Sequence, residues 1–287
     1  MQAERGGVPV GTVAILGLGV MGGSLARALS ALATPPRVVA WSPEPDECAA
    51  ALDEGAIHAV ASDPEGAASG VELVVLAVPL DAVGPLLGRL APVIDRGTVV
   101  TDVASLKAPV QDAVERSGLG ARWAGSHPLC GSEMSGFEAS RRDLYRDATV
   151  YVTPGAEATG AGDVVSAFWS ALGARPETMD AAAHDRLMAA TSHLPQLTAN
   201  ALAEVFRRSG IAAGLLGPGG RDVTRLAASS PHVWGAILRQ APEELTSHLR
   251  SLERRVGELA DLVEANDGDA LAQWMERSRA WKLEDPS

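Results

Sequence analysis

The stretch Val13-Ala-Ile-Leu-Gly17-Leu-Gly19-Val-Met-Gly22-Gly-Ser24 settles the fold class of this 287-residue chain. Residues 13–16 are an unbroken apolar run, which suits a strand covered by helices on both faces. The run passes directly into Gly17-x-Gly19-x-x-Gly22 and then into a helical pattern through Leu32. Strand, glycine turn and helix in that order form a dinucleotide-binding fingerprint. Gly17 permits the tight turn, Gly19 lets the backbone approach a pyrophosphate, and Gly22 allows close helix-strand packing, with Val20 and Met21 lining the same turn. The phosphates then lie at the helix N-terminus, where unpaired N–H groups favour an anion.

Outward from this turn, residues 38–41, 73–77, 98–101 and 148–152 read as further strands separated by helical stretches. The alternation predicts an α/β architecture, a Rossmann-type doubly wound parallel sheet. Past Met179 the strand signals stop, so residues 1–179 read as the dinucleotide-binding domain and residues 180–287 as an all-α domain. Its long segments, 181–208 and 242–264, carry apolar residues at 3- and 4-residue intervals, among them Leu245, Leu249, Leu252, Val256, Leu259 and Leu262. Long striped helices joined by few turns close poorly on themselves, and a homodimer is the expected cover.

With 24 basic and 36 acidic side chains the chain carries a net charge of −12. That field disfavours nucleic acid and anionic membrane surfaces as partners, and no basic face offsets it. Cys48 and Cys130 are too few for a disulfide framework, and the N-terminus has no apolar signal core, so a reducing cytoplasm is the expected location.

A dinucleotide-binding domain of this kind usually closes its second strand with an acid that binds the adenosine ribose. Ser42 stands there. Glu44 and Asp46 follow too late in the turn to replace it, and Arg37 lies at the wrong end of the strand to clamp a 2′-phosphate. The sequence therefore predicts NADP or NAD as cofactor, with NADP accepted about as well as NAD.

The segment Thr101-Asp-Val-Ala-Ser-Leu-Lys107 leaves a strand at the sheet's carboxyl edge, which places Ser105 and Lys107 to meet cofactor or substrate. Capping the next helix is the simpler structural alternative for Ser105. In Ser126-His-Pro128 the histidine has the chemistry of an acid-base group, on backbone expected to be neither helix nor strand. Thr191-Ser-His-Leu-Pro195 puts His193 and a proline inside a helix, where the proline predicts a kink. Arg221 and Arg225 follow a glycine-rich loop and suit carboxylate recognition, although an ion pair of Arg221 with Asp222 would also account for one of them.

Taken together, the segments GLGVMGGSLARAL, AVPLDAV (77–83), TDVASLK, GSHPLCGSEMSG, HDRLMAATSHLP and RDVTRLAASSPHVW resemble the prephenate and arogenate dehydrogenases of tyrosine biosynthesis. The resemblance implies oxidative decarboxylation of prephenate to 4-hydroxyphenylpyruvate, or of arogenate to tyrosine, on a Rossmann domain followed by a helical dimerisation domain. It implies His127 as the general base and Ser105 as the residue orienting the ring hydroxyl. Ser126, Ser132, Glu133, His193, Arg225 and Trp234 become substrate contacts, Val78 and Pro79 cofactor contacts, and no metal is needed. Three positions depart from the family pattern: Ser42, Cys130, and Gln196 after His193-Leu-Pro195. A β-hydroxyacid dehydrogenase also opens with such a glycine turn, but would need a lysine on the first helix of the second domain, and residues 181–208 contain none.

Overall fold

Residues 7–131 and 134–284 are described by a computed structural model of the chain. Five parallel strands, β1 (Thr12–Leu16), β2 (Arg37–Trp41), β3 (Ala59–Val60), β4 (Leu73–Leu76) and β5 (Val99–Asp102), lie in the order β3-β2-β1-β4-β5. Helices α1 (Val20–Ser30), α2 (Pro45–Asp53), α3 (Pro64–Ala68), α4 (Leu80–Leu90) and α5 (Ala108–Arg116) cover both faces. Alternation along β1 feeds two cores. Val13 and Ile15 pack with Leu25 and Leu29 of α1, whereas Ala14 and Leu16 pack with Val83 and Leu87 of α4. The strand order reverses between β1 and β4, which opens a crevice at their carboxyl ends.

A second sheet follows: β6 (Ala124–Pro128), β7 (Thr149–Pro154) and β8 (Arg175–Thr178), with α6 (Ala161–Ala171) packed on it. The strand anticipated at 148–152 belongs here, antiparallel to β6 and parallel to β8, so it does not extend the parallel sheet. Parallel neighbours need a crossover, usually a helix. Between β6 and β7 the described chain offers only a 3₁₀ turn, Phe137–Ala139. Ser126, His127 and Pro128 are likewise in regular strand, contrary to the loop anticipated for them, with His127 opposite Tyr151. Pro128 is tolerated because it is the strand's last residue.

The helical region comprises α7 (Ala181–Met188), α8 (Leu194–Arg208), α9 (Pro218–Thr224), α10 (Pro231–Leu238), α11 (Glu244–Glu264) and α12 (Gly268–Leu283). A single π-turn, Ala189–His193, joins α7 to α8 where a proline kink was anticipated. The wider turn accommodates the missing N–H of Pro195 without ending the helix. Along the α11 stripe Leu245 is buried, Leu249, Leu252, Leu259 and Leu262 are half-buried, and Val256 is 56% exposed. Trp281 of α12 is 73% exposed. No helix among the described residues is long and apolar enough to cross a membrane.

Candidate active site

The glycine turn leads from β1 to α1 as its spacing requires. Gly17 has φ +98°, and a Cβ there would lie 2.4 Å from the Ala77 carbonyl oxygen, while one on Gly22 would lie 1.9 Å from that of Gly17. In front of Gly19 the space is open: among the described residues the one atom near a Cβ is Glu47 Oε1 at 4.0 Å. Gly19 is the N-cap of α1, and no side chain among the described residues caps that helix. An uncapped helix start behind an open glycine cradle fits the pyrophosphate of NAD(P). Val20 and Met21 open α1, and Val78 and Pro79 lead from β4 into α4 beside the turn, Val78 Cγ1 lying 3.2 Å from where a Gly17 Cβ would be. Ser42, at the end of β2, is buried and donates its hydroxyl hydrogen to Glu47 Oε2 at 2.7 Å.

Beside β5, β6 presents His127. Its Nδ1 is 2.9 Å from His184 Nε2, and His184 Nδ1 is 2.7 Å from Asp185 Oδ1. Asp180 fixes this geometry by capping α7, its side chain accepting the Ala183 N–H at 2.9 Å, so that His184 and Asp185 lie one turn into the helix. The Asp185 carboxylate also accepts the N–H groups of Lys107 and Ala108, at 2.8 and 2.9 Å, and so caps α5. A carboxylate that only accepts requires a proton on His184 Nδ1. With that one proton on His184, its Nε2 accepts from His127 Nδ1–H, which leaves His127 Nε2 with its lone pair. Burial pushes His127 well below the usual histidine range, and His184, Lys107 and His193 add to the shift. His127 is thus neutral at pH 7 and able to take a proton.

His193 ends the π-turn, buried, with its ring edge-on to Trp234 at 5.8 Å and its Nδ1 without a partner among the described residues. Burial lowers its pKa, partly offset by Asp185. A buried ring nitrogen with no partner is uncommon and marks a place where a ligand group can bind. Next to it opens a cavity of about 490 Å³, lined by Arg225, Ser229, Trp234, Gly131, Met134 and Ser135 among others. Arg225 is exposed on a 3₁₀ turn after α9. Gln196 holds this wall to α8, donating to the Leu226 carbonyl at 2.7 Å.

Several anticipated roles change. Lys107 meets no ligand: it is fully buried, its ammonium bonded to Asp102 Oδ2 and to the Ser126 carbonyl at 2.8 Å. Ser126 is fully buried too, since neighbours on a strand point to opposite faces. Its hydroxyl donates to the Asp102 carbonyl and lies 3.1 Å from Thr101 Oγ1, so it joins the two sheets and cannot touch substrate. Ser105 is half-buried and does not cap α5, a task performed by Asp185. Ser132 and Glu133 lie outside the described residues. Arg221 makes no ion pair with Asp222; it donates to the Leu216 carbonyl. Burial raises the Cys130 thiol to about 11, so it is protonated and unreactive. His184 and Asp185 were given no role from sequence, although an adjacent His-Asp pair just inside a capped helix was the available signal.

Family models match the chain twice: "Prephenate dehydrogenase, nucleotide-binding domain" at residues 25–178 and "Prephenate dehydrogenase, dimerization domain" at residues 180–277. The cyclohexadienyl dehydrogenase of Zymomonas mobilis is 30% identical over 280 residues, 94% of each chain. The prephenate dehydrogenase of Bacillus subtilis is 27% identical over 94% of this chain and 75% of its own length. In structure the chain is similar to the prephenate dehydrogenase of Aquifex aeolicus solved with hydroxyphenyl propionate and NAD+, with a TM-score of 0.88, 26% identity, and coverage of 96% of this chain and 99% of that one. By its matched models, its relatives and its glycine cradle, this chain belongs to the prephenate dehydrogenase family of NAD(P)-dependent oxidoreductases.

Proposed function

We propose that the chain oxidises prephenate to 4-hydroxyphenylpyruvate and CO2, with His127 as general base. The observation that carries this reading is the Asp185–His184–His127 chain, which leaves His127 Nε2 with its lone pair; His193, close enough to lower the His127 pKa, meets Trp234 of the Arg225 cavity edge-on. When bound, the nicotinamide accepts the hydride from the ring carbon bearing the hydroxyl. His127 Nε2 takes the hydroxyl proton as that carbon becomes a carbonyl. Loss of the ring carboxylate as CO2 leaves its bonding electron pair in the ring, and the proton returns to the oxygen of the new phenol. General-base assistance of this kind is worth ~10²- to 10⁴-fold. Ser105, half-buried at the end of the 101–107 segment, is the candidate to orient the hydroxyl. His193 and Arg225 are the candidates for the carboxylates, Arg225 as the cation that draws a dianion into a protein of net charge −12. Trp234 walls the cavity.

In the same reading, residues 1–179 bind the dinucleotide and residues 180–287 supply the dimer interface. The exposed apolar residues of α11 and α12 and the match to a dimerisation domain support a homodimer. Two free cysteines support a cytoplasmic location. The test is formation of NAD(P)H and CO2 with prephenate, arogenate and a 3-hydroxy acid offered separately. Prephenate should give the highest kcat/KM. A preference for arogenate or for the hydroxy acid would refute the assignment.

A further inference from the structure

We infer that Glu47 is the acid that recognises the adenosine ribose, and that it makes this chain select NAD over NADP. Ser42 occupies the end of β2, where such an acid ordinarily stands. The chain turns at once into α2, whose first residue is Pro45, and that brings Glu47 back over the site vacated by the missing carboxylate. One carboxylate oxygen, Oε2, accepts the Ser42 hydroxyl at 2.7 Å. The other, Oε1, faces the glycine turn, 4.0 Å from where a Cβ on Gly19 would lie, and the same distance from where one on Gly136 would lie. Glu47 is half-buried, whereas Glu44 and Asp46 are exposed. Ser42 and Glu47 together therefore do the work of one acid: the serine orients the carboxylate, and the free oxygen accepts the ribose 2′-hydroxyl.

A 2′-phosphate would meet that oxygen at close range, like charge against like charge. Arg27 is bound to Glu54 at 2.6 Å, and Arg37 opens β2 at its far end. This reverses the expectation, drawn from Ser42 alone, that NADP is accepted about as well as NAD. It stands whichever substrate the enzyme oxidises, because it concerns the dinucleotide alone.

Calorimetric titration of the purified chain with NAD+ and with NADP+, without substrate, tests it. Wild type should bind NAD+ at least ~10-fold more tightly, and Glu47→Gln, which removes the charge and keeps the shape, should cut that ratio by ~10-fold, mainly by tightening NADP+. Ser42→Ala should weaken NAD+ yet keep the discrimination, since the charge remains. Glu44→Gln should leave the ratio unchanged. Equal or tighter binding of NADP+ by wild type, an unaltered ratio in Glu47→Gln, or a shift carried by Glu44→Gln would each overturn the assignment.

Discussion

At His127 one ring nitrogen is basic because the other is occupied. Asp185 holds the His184 tautomer, and His184 holds that of His127, so the free Nε2 follows from three side chains on two elements. His127→Asn should keep NAD+ affinity and lower turnover by ~10²-fold or more, read from kcat alongside a binding titration. Since His127 lies below its ordinary value, kcat/KM should be flat near pH 7, with an acid limb below pH 6.5. Stability carries the same sign. His127 and His193 stay neutral in the folded protein at pH values where the unfolded chain is already protonated, so stability should decline as pH falls below about 6.5, a trend denaturant midpoints would show. The buried Lys107–Asp102 pair is structural: Lys107→Met leaves Asp102 a buried, uncompensated charge and should cost ~3–5 kcal/mol in urea unfolding.

Among elements, α1 and the 225–234 segment do opposite things. The start of α1 must be bare and close to β1, so any side chain at Gly22 collides with Gly17 backbone. Gly22→Ala should therefore abolish NAD+ binding and lower the melting temperature together; normal NAD+ affinity would mean the turn relaxes at little cost. The 3₁₀ turn carrying Arg225 is instead exposed and anchored to α8 by Gln196, as suits a wall that meets an incoming anion. Arg225→Ala should raise KM for prephenate ~30-fold, about 2 kcal/mol, with a smaller effect on kcat. An unchanged KM would transfer the carboxylate contact to another cation, with Arg221 the first to test.

For the whole molecule, the exposed apolar residues of α11 and α12 are the candidates for the proposed dimer interface. Val256, Met275 and Trp281 are all more than half exposed on a single chain, which is costly for helices of a stable monomer. The chain should sediment as a dimer at micromolar concentration, and Val256→Glu should shift it toward monomer. A monomeric wild type would leave the stripe without its partner. The sequence by itself determined the doubly wound sheet, the glycine turn and the helical second half, because these rest on local rules of apolar periodicity, turn stereochemistry and the reach of a few residues. It also exposed His127 and His193 as unusual. Only the tertiary structure decided what those residues touch. Lys107 looked like a ligand group until its partner Asp102 appeared beneath the sheet edge, and Ser126 until the pleat turned it inward. His184, Asp185 and Glu47 acquired meaning only when α7 met α5 and β6, and when α2 folded back over β2. The physical reason is common to all of them: a titratable side chain takes its protonation state and its role from neighbours distant in sequence, which no local pattern records.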